Sequence, residues 1–165
     1  MSLKLKYLKK KSVQFVLFAG VILTMVVISL VVRHYQLELL DEIISPEKAR
    51  SVISAATEQQ RIVHAWVTGT LDVIFPLLYG SLFVGAALSY YKSAGKFLAI
   101  LVFVAVPCDL VEGVVQVLAL TDTFDLLDLK IVITPIKMAS FLFGWLVFFV
   151  GVVKSSVSHM TGRKV

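Results

Sequence analysis

The sequence predicts an all-α protein: a polytopic four-helix transmembrane bundle with an extra amphipathic helix on its outer surface. Hydrophobic residues make up 58% of the 165 positions and the mean hydropathy is +0.90, whereas soluble domains contain roughly 45 to 50% apolar residues. The chain has four apolar runs, each near the roughly 20 residues with which a helix crosses a bilayer. Basic residues cluster at the ends of these runs, as is typical of membrane topology. We therefore expect one four-span domain, residues 1–165.

The first predicted span covers residues 13–32. This run is longer than the apolar region of a signal peptide, about 7 to 15 residues, and no small-residue cleavage site follows it, so we expect an uncleaved helix. By the positive-inside rule, the lysines before it place the N-terminus in the cytoplasm. These lysines are Lys4, Lys6, Lys9, Lys10 and Lys11.

A polar stretch, residues 33–61, is expected outside the membrane and contains a helix start. Ser45 suits the N-cap, Pro46 the first helical position and Glu47 the positive end of the helix dipole. Apolar residues then recur at helical spacing, which predicts an amphipathic outer helix that leads into the second span. They are Ala49, Val52, Ile53, Ala56 and Val63. A packing lid over the bundle is favoured over a substrate gate.

The remaining spans are predicted at residues 62–91, 97–120 and 130–153. The short turn between the second and third spans carries Lys92 and Lys96 but no acid, so it is predicted to be cytoplasmic. The loop 121–129 contains three aspartates and is predicted to lie outside. Both termini are then cytoplasmic, and the expected location is the plasma membrane as a multi-pass protein.

Two carboxylates, Asp109 and Glu112, lie within the apolar third span. An ionisable residue at the centre of a spanning helix costs about 2.5 to 3.5 kcal/mol on insertion scales, so each should face protein or water and have a partner. At about 1.5 Å rise per residue, Asp72 of the second span and Lys137 of the fourth reach a similar depth. The predicted polar intramembrane site comprises Asp72, Asp109, Glu112, Lys137, Gln116, Thr68, Tyr79 and His64.

Three acids and one lysine leave two surplus negative charges in this site, which a low-dielectric layer disfavours. Either a carboxyl holds a proton, or a cation or polar headgroup occupies the site, or water reaches it. Ion pairs that only hold helices together would gain little, since polar contacts in membrane proteins average about 0.6 kcal/mol. A divalent metal bound by Asp72, Asp109, Glu112 and His64 suits hard-cation chemistry, but no spacing motif supports it.

Three motifs carry a resemblance to a known group. They are Leu71-Asp72-x-x-Phe75-Pro76-x-x-Tyr79-Gly80, Pro107-x-Asp109-x-x-Glu112 and Pro135-x-Lys137. Over about residues 45–153, the chain resembles small four-span bacterial inner-membrane proteins of unassigned function. The resemblance implies that the aspartate, glutamate and lysine form one constellation, and it implies no activity. An asparagine often follows the glutamate in that group, whereas this chain has Gly113.

Three classes of function are left open. The favoured one is a membrane module that binds or moves a proton, a cation or an amine-bearing molecule, because intramembrane acids mark such pathways. The alternatives are an intramembrane lipid-modifying enzyme that uses carboxylate acid–base chemistry and a structural subunit with a membrane-protein partner. The lipid bilayer is the other expected partner, and a lipid headgroup is a further candidate. Nucleic acid is not expected, and no phosphate-loop, zinc or haem motif predicts a cofactor.

Overall fold

The computed structural model describes residues 3–160, which form helices and connecting loops without a strand among them. The helices are α1 (Leu3–Leu8), α2 (Lys11–Tyr35), α3 (Pro46–Ala55), α4 (Glu58–Tyr90), α5 (Gly95–Phe103), α6 (Ala105–Leu120) and α7 (Lys130–Met160), with short 3₁₀ turns at Leu40–Glu42 and Leu127–Leu129. In this range, four helical segments are long and apolar enough to cross a membrane: Lys11–Tyr35, Glu58–Tyr90, Gly95–Leu120 and Leu127–Ser158. The all-α prediction and the four candidate spans are confirmed.

Helix α4 is the central helix, since it packs against α2, α5, α6 and α7. An aromatic cluster joins α4 to α7: the ring centroids of Tyr79 and Phe141 are 4.9 Å apart, and those of Phe83 and Trp145 are 5.2 Å apart. Gly144 of α7 lies directly against the Phe83 ring, where a Cβ atom would overlap the side chain. A glycine is therefore needed for the two helices to approach this closely.

The third candidate span differs from the prediction because it is two helices rather than one. Helices α5 and α6 meet at Val104. Pro107 has no backbone N–H to donate to the carbonyl of Phe103, four residues earlier, so the regular ladder is interrupted there. Asp109 and Glu112 both follow this interruption and lie on α6.

The outer helix starts as the sequence predicts. Ser45 caps α3, with its Oγ accepting a hydrogen bond from the backbone N–H of Lys48 at 3.2 Å, and Pro46 occupies the first turn. The helix does not run directly into the next one, because Thr57 and Gln60 form a capping box that begins α4. Helix α3 is thus a separate lid segment.

We call the end of the bundle covered by residues 36–57 and 121–129 the capped end. Arg50 of α3 donates hydrogen bonds to Asp125 at 2.6 Å and to Asp128 at 3.0 Å. Its bond to Asp125 lowers the pKa of that carboxyl. Arg61 pairs with Asp122. The three aspartates predicted to lie in an exterior loop therefore attach that loop to α3 and α4.

We call the opposite end, formed by residues 8–12, 91–94 and 151–160, the basic end. Gln14 is buried there, and it donates to the hydroxyl of Ser89 at 2.9 Å and accepts from the hydroxyl of Tyr90 at 3.0 Å. Lys9 and Lys154 line one common cavity. The beginning of α2 and the last turns of α7 thus lie at the same end of the bundle.

Candidate functional site

Polar side chains converge inside the bundle toward its capped end, and we call them the buried cluster. Helix α6 contributes residues three and four positions apart, and α7 does the same, so each set lies on one helix face. The cluster comprises Asp41, Asp72, Tyr79, Asp109, Glu112, Gln116, Lys130, Thr134 and Lys137.

Lys137 lies at the centre of the cluster. Its Nζ atom is 2.5 Å from Oε2 of Glu112, 3.0 Å from Oδ1 of Asp41 and 3.3 Å from Oδ1 of Asp109. The lysine side chain is only 10% exposed. One ammonium group therefore holds carboxylates from α6 and from the segment before α3.

Glu112 is the most deeply buried acid, with no exposed surface. In addition to Lys137, its carboxylate pairs with Lys130 and accepts a hydrogen bond from the hydroxyl of Thr134 at 2.6 Å. The sequence placed Lys130 at the edge of the fourth span, but its side chain is 1% exposed. The physical reason is that the turn Leu127–Leu129 packs against α6 and α7 and covers the start of α7.

Asp41 is a cluster member that the sequence analysis did not identify. The 3₁₀ turn Leu40–Glu42 carries it inward, where it accepts from Nε2 of Gln116 at 3.1 Å and from Lys137. Burial opposes its charged form, but the charge and hydrogen bond of Lys137 prevail and lower the pKa of Asp41. The sequence contained one signal that this turn faces inward: the apolar residues Leu40 and Ile43 flank it, and both are buried.

The remaining predicted acids adjoin this ion-pair network. Tyr79 is fully buried and donates its hydroxyl hydrogen to Oδ2 of Asp109 at 2.9 Å. Asp72 is half-buried and lies near Asp41 and Asp109. Among the described residues Asp72 forms no ion pair with a lysine or arginine. It is the cluster acid without an ammonium of its own.

Two predicted site residues lie outside this network. His64 and Thr68 are 5% and 1% exposed, and they lie about two turns and one turn closer to the start of α4 than Asp72. Within residues 3–160, Nε2 of His64 and Oγ1 of Thr68 have no hydrogen-bond partner, and neither does Oε1 of Gln116. His64 also lines a cavity of about 310 Å³ under α3. These side chains extend a polar track from the cluster toward the capped end.

The metal set suggested by the sequence is not the set that the fold assembles. Carboxylate oxygens of Asp41, Asp109 and Glu112 lie within 4.8 Å of one another, without Asp72 or His64. The ammonium of Lys137 contacts all three carboxylates. A divalent cation among them would lie beside that ammonium and be repelled by it. The arrangement therefore favours an internal ammonium over a bound metal.

The cluster has an excess of negative charge and one more accessible side. Four carboxyl groups face two ammonium groups, so full ionisation leaves two surplus negative charges. Side-chain exposure falls from 24% at Asp41 through 13% at Asp109 to zero at Glu112. A solvent-borne species would reach the Asp41 side first, while Glu112 is closed off.

Comparison of the chain with protein families, with curated proteins and with solved structures finds no match.

Proposed function

We propose that this chain is a multi-pass membrane protein whose buried cluster binds and exchanges a proton. The carrying observation is the excess of carboxyl groups over ammonium groups, with Asp72 lying unpaired beside Asp41. Surplus negative charge is unstable in a low-dielectric interior unless a proton or another cation neutralises it. The protein thus offers a proton site between fixed ion pairs.

The membrane location is supported by the apolar exterior of the long helices. Phe15, Leu23 and Leu30 of α2 are each more than 60% exposed, as are residues on the other three spans. We place the basic end in the cytoplasm by the positive-inside rule. The chain would then reside in the plasma membrane with both termini inside.

The proposed proton resides on Asp72. Two neighbouring carboxyl groups in a low-dielectric site are unstable when both are charged, so one of them should hold a proton. Because Lys137 and Gln116 keep Asp41 in its charged form, Asp72 is the group that carries the proton. Glu112 pairs with both lysines and acts as their anchor instead.

Infrared spectroscopy and proton flux test this function together. The purified chain in nanodiscs should show a protonated-carboxyl band that persists to neutral pH and disappears in Asp72→Asn. Pyranine-loaded proteoliposomes under a potassium diffusion potential should acidify faster than protein-free vesicles, and Asp72→Asn should abolish the difference.

Glu42→Gln is the matched control, since Glu42 is the exposed neighbour of Asp41. It should keep both the band and the flux. A wild-type protein with neither signal would overturn the proton function and favour an acid–base enzyme or a partner subunit. A band and flux unchanged in Asp72→Asn would exclude Asp72 as the carrier.

Sidedness requires a separate experiment. In a Cys108→Ser background, Ser93→Cys should react with a membrane-impermeant maleimide only from the cytoplasmic side. Phe124→Cys, at the 67% exposed residue of the capped end, should react only from outside. The opposite pattern would reverse the proposed orientation.

A small amine is the second candidate ligand, because three carboxylates already bind one ammonium group. If the site accepts an external amine, methylammonium should raise the melting temperature of Lys137→Ala. The same salt should leave the wild type unchanged. No recovery in Lys137→Ala would exclude this candidate.

A further inference from the structure

The basic end contains a cavity of about 260 Å³ around which lysines from three parts of the chain converge. Lys9 comes from the turn before α2 and Lys11 from the first residue of α2. Lys92 comes from the turn after α4, and Lys154 from the last turns of α7. The hydroxyl-bearing residues Ser89 and Ser155 also line it. The four ammonium groups are suitable donors for a phosphate, whereas the Ser89 hydroxyl already donates to the carbonyl of Gly85.

Among the described residues, no carboxylate side chain lines this cavity. All 11 acids of the chain lie between residues 38 and 128, and the turn 91–94 contains none. None of the four lysines forms an ion pair in the described part of the chain. An anion bound among them would relieve their mutual repulsion.

The cavity walls are held in place by a buried hydrogen-bond network. Gln14 is 4% exposed and bonds to Ser89, to Tyr90 and to the carbonyl of Leu8. Gly85 of α4 lies against that same carbonyl. The segment that carries Lys9 and Lys11 is thereby fixed to α4, so these two lysines do not simply belong to a loose tail.

An apolar groove of about 240 Å³ adjoins the basic cavity between α2 and α7. Its walls include Phe15, Phe18, Phe148 and Val152, and it shares Lys11 with the cavity. Phe18 and Phe148 stack with ring centroids 5.7 Å apart, whereas Phe15 is 73% exposed. A donor-rich cavity thus continues into an apolar groove on the bundle surface.

We infer that this cavity and groove form a binding site for an anionic phospholipid. The phosphate headgroup lies among the four lysines, and one acyl chain follows the groove along Phe15. Headgroup charge and chain apolarity match the two halves of the site. The inference rests on the membrane location proposed above but is independent of proton exchange in the buried cluster.

The test is lipid binding by the purified full chain in a neutral detergent, followed by native mass spectrometry and by thermal unfolding. The probes are dioleoylphosphatidylglycerol, dioleoylphosphatidylcholine and inorganic phosphate. The anionic lipid should bind most tightly and raise the melting temperature. Lys11→Gln/Lys154→Gln should weaken its binding roughly thirtyfold, since each lysine near a lipid surface is worth about a factor of five.

The matched control is Lys10→Gln/Lys96→Gln, which removes the same charge from the same end without touching the cavity. It should keep the preference for the anionic lipid. If both double variants weaken binding equally, the site is only diffuse basic charge. Should the cavity double variant fail to fold, Lys92→Gln with Lys96→Gln as its control gives the same comparison.

Phe15→Ala separates a lipid site from a site for free phosphate. It should weaken binding of the phospholipid and leave inorganic phosphate unaffected. The lipid assignment would be overturned if wild type and Phe15→Ala bound each of these two probes equally well. Equal affinity of the wild type for the neutral lipid and for the anionic lipid would also overturn it. Neither result would change the proton assays, so the two proposals fail separately.

Discussion

Lysines occur in two contrasting settings in this molecule. In the buried cluster, Lys130 and Lys137 lie among carboxylates supplied by the turn Leu40–Glu42 and by α6. At the basic end, Lys9, Lys11 and Lys154 surround a cavity with no acid nearby. The two buried lysines are compensated by carboxylates of the protein, because burial removes the solvent that would otherwise stabilise their charge. Charge at the end of the bundle is left for an external anion.

Removal of Lys137 should have the largest effect. Lys137→Ala leaves three carboxylates without their shared ammonium, and losing one partner of a buried pair costs about 3 to 5 kcal/mol. Folded yield, measured by size-exclusion chromatography of a fluorescent fusion, should fall sharply. Lys130→Ala should be milder, since Glu112 keeps Lys137 and Thr134. Equal yields would contradict the central role of Lys137.

Asp41 gives the next largest effect. Asp41→Asn removes a charged acceptor from Lys137 and Gln116, and hydrogen bonds to charged groups contribute about 1.5 to 3 kcal/mol. The melting temperature should fall, and the lid should exchange hydrogen faster. Glu42→Gln, one residue away on the exposed side, should change neither. A similar loss in both variants would mean that the inward position of Asp41 is unimportant.

A further prediction concerns how hydrogen exchange in residues 40–55, the segment that begins beside Asp41, depends on pH. The folded-state pKa of Asp41 lies below its ordinary value of 3.8, so its stabilising contribution is complete above that value and is lost as pH falls through the lower folded pKa. Hydrogen–deuterium exchange of residues 40–55, corrected for intrinsic rates, should accelerate only in that acidic range. Asp41→Asn should show no such step. Acceleration near neutral pH would point to another group.

The smallest effect is expected at the basic end. In neutral detergent without anionic lipid, Lys11→Gln/Lys92→Gln should unfold at the same temperature as wild type or slightly higher, because like charges around the cavity repel. Added phosphatidylglycerol should then stabilise the wild type more than the variant. A strong destabilisation without lipid would show that these lysines have a partner inside the fold.

The sequence determined the helices. Apolar runs of this length have few ways to satisfy their backbone groups, and the helix does so within each segment. Even the cap at Ser45 and the polar face shared by Asp109 and Glu112 follow from local spacing. These features involve residues a few positions apart, so a linear pattern contains them. The break at Val104 also had a local cause in Pro107, although the pattern alone predicted one continuous helix.

Only the tertiary structure decided which charges meet. Asp41 and Lys137 are 96 residues apart in the chain, and the apolar residues Leu40 and Ile43 flank both Asp41 and the exposed Glu42, so they do not show which acid turns inward. Lys130 became a buried partner of Glu112 because a neighbouring turn covers it. Electrostatic partners are chosen by distance in space and by local dielectric, and both quantities come into existence only when the helices and the lid pack together.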